Sequence, residues 1–200
     1  KGWNISFFSF FDNGDKVIIA NDKHLKAWST GDGKLLYDIE TPDTINGAGI
    51  CGKTNMIACA LKFSGRDKPV IIIYDLKNGK PVSSVNWTED MVGVFWSHSG
   101  DNFMASSQNR EKSNAVSMIL FDTKSLSQVS KLKVSSSPKV TFSKDDSLYS
   151  YVYGHHTNTA DYGIVLGKTS DGSVIKLIKC RRNDDKKMSL SPDGRYFAYG

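Results

Sequence analysis

Few residues of this chain have the types and spacing that chemistry demands. Nucleophilic catalysis needs a serine, cysteine or threonine held beside a base, and metal chemistry needs clustered His, Cys, Asp or Glu. The sequence contains no Gly-x-Ser-x-Gly, His-Glu-x-x-His or Cys-x-x-Cys, and no phosphate loop is expected. His155 and His156, near Asp161, come nearest to a ligand set. Adjacent strand residues point to opposite faces, however, and no third ligand has suitable spacing, so these residues read as a polar loop. Asn183-Asp184-Asp185 lacks the alternation and terminal Glu of a calcium loop and reads as a turn. The chemistry that is left is recognition: no catalytic residue, cofactor or metal is expected.

Three cysteines, Cys51, Cys59 and Cys180, make a disulfide framework an unsuitable reading, and a reducing, intracellular home (cytoplasm or nucleus) is expected. Two sequons, at Asn4 and Asn86, stand against that reading. The longest apolar run, Val70-Ile71-Ile72-Ile73-Tyr74, is far short of the roughly 18 residues of a membrane-spanning helix. Hydrophobic residues make up 39% and charged residues 24%, a balance that allows a packed core. A net charge of +5 permits an acidic partner without requiring one.

Whatever is recognised must be presented by elements, and these repeat. The apolar segments ending at Trp28, Tyr74, Phe121 and Leu166 are 46, 47 and 45 residues apart. Turn glycines Gly33, Gly79 and Gly172 keep the same phase, with Ser125-Leu126-Ser127 at the intervening place. A third marker is Phe11-Asp12-Asn13-Gly14, Trp96-Ser97-His98-Ser99-Gly100, Phe142-Ser143-Lys144-Asp145-Asp146 and Leu190-Ser191-Pro192-Asp193-Gly194. Each unit holds four short strand-like runs bounded by Gly, Asp, Asn or Ser, without helical periodicity.

Four antiparallel strands per unit, repeated at this period, predict an all-β β-propeller. Four blades are expected, at residues 5–40, 47–87, 92–134 and 139–180, with part of a fifth at 187–200. Closed propellers commonly have six to eight blades, so further blades of the same chain are expected as partners. The aromatics Trp28, Tyr74, Trp96, Phe121 and Phe142 recur at repeat positions and read as core; Trp87 lies off that pattern.

The stretch from Val17 to Glu40, with Asp22 six residues before Trp28 and then Gly33-Lys34-Leu35-Leu36, resembles one blade of the WD40 family. That resemblance implies that Asp22 shapes the turn between the second and third strands and that Trp28 closes the core. The other units depart from the motif, with Tyr74, Phe121 and Leu166 in place of Trp and Lys68, Ala115 and Ala160 in place of the turn Asp.

The connections between second and third strands are long in units two to four, at Lys62 to Pro69, Asn109 to Asn114 and His155 to Asp161, whereas unit one uses Asp22-Lys23. In a propeller these connections share an edge with those between blades. Lys62, Arg66, Lys68, Arg110, Lys112, His155 and His156, joined by Arg181, Arg182, Lys186 and Lys187, are therefore expected on one side. The function expected is a non-enzymatic scaffold binding other proteins through that edge. Alternatives are RNA or ribosome docking, similar to the propellers of translation-initiation factors, and the substrate-gating propeller of a prolyl-oligopeptidase-like hydrolase, suggested by Leu190 to Tyr196.

Overall fold

Runs of β-branched and aromatic residues punctuated by Gly, Asp, Asn and Ser fold as strands throughout the computed structural model, which describes residues 5–62, 69–87, 90–109, 115–134, 139–155, 158–179, 188–191 and 193–199. The first sheet is β1 (Ile5–Phe11), β2 (Lys16–Asn21), β3 (His24–Ser29) and β4 (Leu35–Glu40). The second is β5 (Ile45–Cys51), β6 (Met56–Leu61), β7 (Pro69–Asp75) and β8 (Pro81–Asn86). The third is β9 (Asp90–Trp96), β10 (Asn102–Asn109), β11 (Ala115–Asp122) and β12 (Gln128–Val134). The fourth is β13 (Val140–Phe142), β14 (Leu148–His155), β15 (Asn158–Lys168) and β16 (Val174–Lys179), and β17 (Met188–Leu190) with β18 (Phe197–Tyr199) forms a two-stranded sheet. Every four-stranded sheet is a meander in chain order, here called a blade with strands a to d. The described residues contain no α-helix. Two compact units, residues 1–94 and 95–200, divide the chain.

The hairpin between strands c and d fixes the repeat. Gly33, Gly79 and Gly172 take left-handed φ values of 69°, 69° and 70°. Their amides donate to the carbonyls of Ser29, Asp75 and Lys168 at 3.1, 2.8 and 2.9 Å. The preceding side chain caps the turn: Asp32, Asn78 and Asp171 accept the amides of Lys34, Lys80 and Ser173 at 3.1, 2.8 and 2.8 Å. In blade three Ser125 plays this part toward the Ser127 amide at 3.3 Å, and Leu126 accepts the left-handed conformation at φ 55°. The sequence marker is thus a conformational demand. Two of the glycines also lie against the neighbouring blade. A Cβ on Gly79 would meet the Tyr37 ring at 3.1 Å and Ile39 at 3.0 Å, and one on Gly172 would collide with Ser130.

After each hairpin the c–d pairing shifts register where Trp28 faces Leu35, Tyr74 faces Pro81 and Phe121 faces Gln128. In blade four the residue at this place is Gly167, facing Val174, and not Leu166 as the apolar pattern suggests. The reason is steric. Tyr149, reaching across from strand b, fills the space, and a Cβ on Gly167 would fall inside its ring. The buried Tyr149 hydroxyl donates to Gly172 O at 2.8 Å. Blade four therefore supplies from strand b the large ring that the other blades supply from strand c.

In the first unit, Ile18, Ala20, Leu25 and Ala27 of blade one pack with Ile57, Cys59, Ile72 and Tyr74 of blade two in one core cluster. In the second, Met104, Met118 and Leu120 of blade three pack with Phe142, Tyr149, Tyr151 and Val165 of blade four. Phe121 stacks on Phe103 at 5.0 Å between centroids, and Trp96 tilts against Phe103 at 5.3 Å. Tyr74 and Phe121 are buried, whereas Trp28 and Trp87 are half-buried.

The turn predicts an ordered series of stabilities. Gly33→Ala should cost about 1 to 2 kcal/mol, the left-handed penalty alone, and Gly79→Ala more, because its methyl also meets the Tyr37 ring. Leu126→Gly should raise the urea midpoint by relieving the same strain. Equal losses at Gly33 and Gly79, or a lowered midpoint for Leu126→Gly, would contradict this account.

Candidate functional site

Strand connections fall on two opposite edges of each blade, one carrying the b–c turns and the links between blades, the other carrying the a–b and c–d turns. On the first edge the connections of the first unit are stitched together. Lys23 O accepts the Thr41 amide at 2.7 Å and its hydroxyl at 2.9 Å, Asp22 O accepts the Ile45 amide at 2.7 Å, and Thr44 O accepts the Lys62 amide at 2.8 Å. Thr41 to Ile45, which links the first two blades, is thereby held by the b–c ends of both.

Asp22 contributes here by its backbone. It adopts φ 52°, a left-handed conformation that Asp tolerates better than most residues, and its exposed carboxylate receives the Thr44 hydroxyl at 3.4 Å. No turn amide reaches that carboxylate among the described hydrogen bonds. Asp22 thus stands in the turn between the second and third strands and meets its left-handed conformation.

Of the basic residues expected on this edge, Lys62 is exposed at the end of β6. Arg66, Lys68, Arg110, Lys112, His156, Arg181, Arg182, Lys186 and Lys187 lie outside the described residues, as does the side chain of His155. The backbone of His155 corrects one reading. It belongs to β14 and pairs with Asn158 of β15, so the stretch taken as a loop from His155 to Asp161 is mostly hairpin. In blade three the pairing likewise runs out to Asn109 and Ala115, whereas blade one turns at Asn21 and His24. The b–c hairpins of blades three and four project two residues per strand beyond that level, about 7 Å at the rise of a β-strand.

The opposite edge is built from serine turns. Ser97, Ser143 and Ser191 each accept, through Oγ, the amide five residues on, from Asn102, Leu148 and Tyr196 at 3.2, 3.0 and 2.8 Å. Gly100 and Gly194 are left-handed in these turns, and so is Asp146, at φ 58°. The strained aspartate joins two blades. Its carboxylate accepts the backbone amides of His98, at 2.7 Å, and Ser99, at 2.5 Å, and lies 3.1 Å from His98 Nδ1. Partial burial alone would raise its pKa; the amides of Ser99 and His98 outweigh that and hold it below the ordinary 3.8. Sequence reading missed this clamp, although its signal was present as a non-glycine residue where the equivalent turns carry Gly100 and Gly194.

Beside the clamp lies an open cleft of about 490 Å³, lined by Asp101, Asn102, Asp145, Asp146, Lys168 and Thr169 among others. Its carboxylates serve the fold: Asp145 accepts the Ser143 hydroxyl at 2.6 Å and the Ser147 amide at 3.1 Å. No group of three His, Cys, Asp or Glu among the described residues could hold a metal ion. Gly47 to Thr54 matches the pattern Gly-x-x-x-x-Gly-Lys-Thr of a phosphate loop, another feature sequence reading passed over. That stretch is the end of β5 and a tight turn into β6, with no helix N-terminus to receive a phosphate, and Gly47 has its own reason: a Cβ there would lie 2.7 Å from Val92 O.

No family model and no curated protein matches the sequence. By structure the chain is similar to Kuenenia stuttgartiensis hydrazine synthase, with TM-score 0.72 and 15% identity over 96% of this chain and 60% of that one. It is also similar to the WD40 domain of Toxoplasma gondii coronin, with TM-score 0.71 and 12% identity over 95% of this chain and 51% of that one. The chain thus spans 60% and 51% of these structures' lengths, and at such identities the likeness is one of fold. Together with four four-stranded antiparallel sheets, it establishes an all-β, β-propeller fold.

The clamp makes a pH-dependent prediction. A carboxylate with depressed folded pKa stabilises above its unfolded pKa and loses that contribution as pH falls through the folded value. Asp146→Ala should cost about 1.5 to 3 kcal/mol at pH 7, the worth of a hydrogen bond to a charged group, and the gap from the parent should close below about pH 4. Equal urea midpoints at pH 7, or a gap that persists at low pH, would refute the clamp.

Proposed function

We propose that this chain is a non-enzymatic interaction scaffold that binds other macromolecules, chiefly proteins with acidic surfaces, through the b–c edge of its blades. The supporting observation is the projection of the β10–β11 and β14–β15 hairpins beyond the level at which blade one turns. Arg110 and Lys112 lie between the ends of β10 and β11, and His155 and His156 at the turn from β14 to β15. Raised hairpins on stiff meanders present side chains at little entropic cost, which suits recognition. The fold does not itself supply this reading, since a fold hosts many functions. The buried free thiol of Cys59 supports the cytoplasm or nucleus as the site of action.

A second reading, docking to RNA, draws support from the formal charge of +5 and the count of Lys and Arg along the same edge. Salt separates the two. Each Lys or Arg on phosphate steepens the dependence of log K on log salt by about 0.7 to 0.9, whereas protein docking need not scale in this way. Arg66, Lys68, Arg110, Lys112, Arg181 and Arg182, all reversed to Glu in one folded variant, should abolish recovery of the partners that the parent captures. An unchanged set of partners would remove this edge from consideration.

A further inference from the structure

Six places in the sequence join Asn or Asp to Gly: Asn13, Asn46 and Asn78, and Asp32, Asp171 and Asp193. At such a pair the side-chain carbonyl carbon lies open to attack by the next backbone nitrogen, which a glycine does not shield with a Cβ. Attack closes a succinimide ring, so whatever holds the side chain away from that geometry prevents it.

Five of the six are held. Asn78 Nδ2 donates to Asp75 Oδ2 at 3.1 Å, and its Oδ1 accepts the Lys80 amide at 2.8 Å. Asn46 Nδ2 donates to Met91 O at 3.0 Å, and Gly47 beside it lies in β5, paired with Ala60 of β6. The aspartates accept turn amides: Asp32 from Lys34, Asp171 from Ser173 and Asp193 from Arg195, at 3.1, 2.8 and 3.1 Å. The hydroxyls of Ser29, Ser173 and Ser191, together with those amides, hold the three carboxyls below the ordinary 3.8. An ionised carboxylate repels a nucleophile and has no neutral group to lose.

Asn13 differs. It is exposed in the a–b turn of blade one, and its side chain makes no hydrogen bond among the described residues. The turn opens readily, because Asp12 and Asn13 hold left-handed φ values of 53° and 55° that a residue with a Cβ adopts at a cost. The surroundings leave room for a ring: a Cβ on Gly14 would meet nothing within 4 Å.

We infer that Asn13-Gly14 is a self-modifying site, at which the chain converts its own asparagine to isoaspartate with water as the co-reactant. The Gly14 nitrogen bonds to Asn13 Cγ, the Cγ–Nδ2 bond breaks, and the amide proton leaves with the nitrogen as ammonia. Water then opens the ring at either carbonyl. Cutting the new bond gives aspartate; cutting the original peptide bond gives isoaspartate, with the backbone routed through the side-chain methylene. Neither step changes an oxidation state. Either product adds a carboxylate between Asp12 and Asp15, and isoaspartate also lengthens the turn that sets Phe11 opposite Lys16.

The 200-residue chain would be aged at mildly alkaline pH, folded and in urea, then digested for mass spectrometry with fragmentation that separates aspartate from isoaspartate. Dividing each folded rate by the rate of the same site in urea isolates what the fold does. Folding should slow Asn46 and Asn78 at least about tenfold more than Asn13, since they react only after their bonds open. Isoaspartate should accumulate first at residue 13, and Asn13→Gln, whose longer side chain closes a less favourable ring, should remove the acidic form that the ageing parent accumulates. Equal slowing at the three sites would overturn the inference, as would persistence of the acidic form in Asn13→Gln. A product at residue 13 that is aspartate alone would also overturn it, because direct hydrolysis and not attack by Gly14 gives that result.

Discussion

A four-stranded sheet that is apolar on both faces has no stable place in water except between two others, and this constraint organises the molecule. Blade two meets it against blade one through Ile57, Cys59 and Tyr74, and blade four against blade three through Tyr149, Tyr151 and Val165. Each face removed from water gains roughly 25 cal/mol per Å² of apolar area, so five or six side chains per face outweigh any turn or ion pair in the structure. The turns serve a different end: they fix where each face begins. Left-handed residues at 33, 79, 126 and 172 start strand d at the same height in each blade.

The same constraint explains where the repeat tolerates variation. What is kept is a volume beside strand b, and the residue that fills it can change. Trp28 and Tyr74 fill it from strand c, Phe121 and Phe103 share it in blade three, and in blade four Tyr149 fills it from strand b while Gly167 makes way. Polar ties follow the packing. The carboxylate of Asp146 can cap the amides of His98 and Ser99 only because the two blades are already pressed together. That clamp sits opposite the b–c edge, so the edge that carries structure and the edge proposed for recognition are separate.

Much of the fold was legible because it rests on local demands. A left-handed turn calls for glycine, and Gly33, Gly79 and Gly172 announce it; a buried strand calls for apolar residues, and Ile71 to Tyr74 supply them. Three features were hidden. β14 and β15 run on past Tyr153 through Gly154-His155 and Asn158-Thr159-Ala160-Asp161, which show no apolar alternation and read as loop. The register shift that aligns Gly167 with Trp28 moves the pattern by one residue, which apolar spacing cannot reveal. The partner of Asp146 lies 47 and 48 residues away, beyond any local signal. The basic edge was legible as a list of charges on connections, but charge alone does not distinguish a recognition surface from a solvated rim.

The central claim is that the blades are equivalent units obeying one packing rule, and an exchange in blade four tests it most directly. Gly167→Phe alone should be severely destabilising, since its ring would meet that of Tyr149, and Tyr149→Ala alone should cost about 3 to 5 kcal/mol. In the double variant the ring is supplied from strand c opposite a small strand-b residue, as Tyr74 is opposite Ile57 in blade two, and the urea midpoint should recover above that of either single variant. A double variant no more stable than the sum of its two losses would show that the site in blade four is not equivalent to those of Trp28, Tyr74 and Phe121.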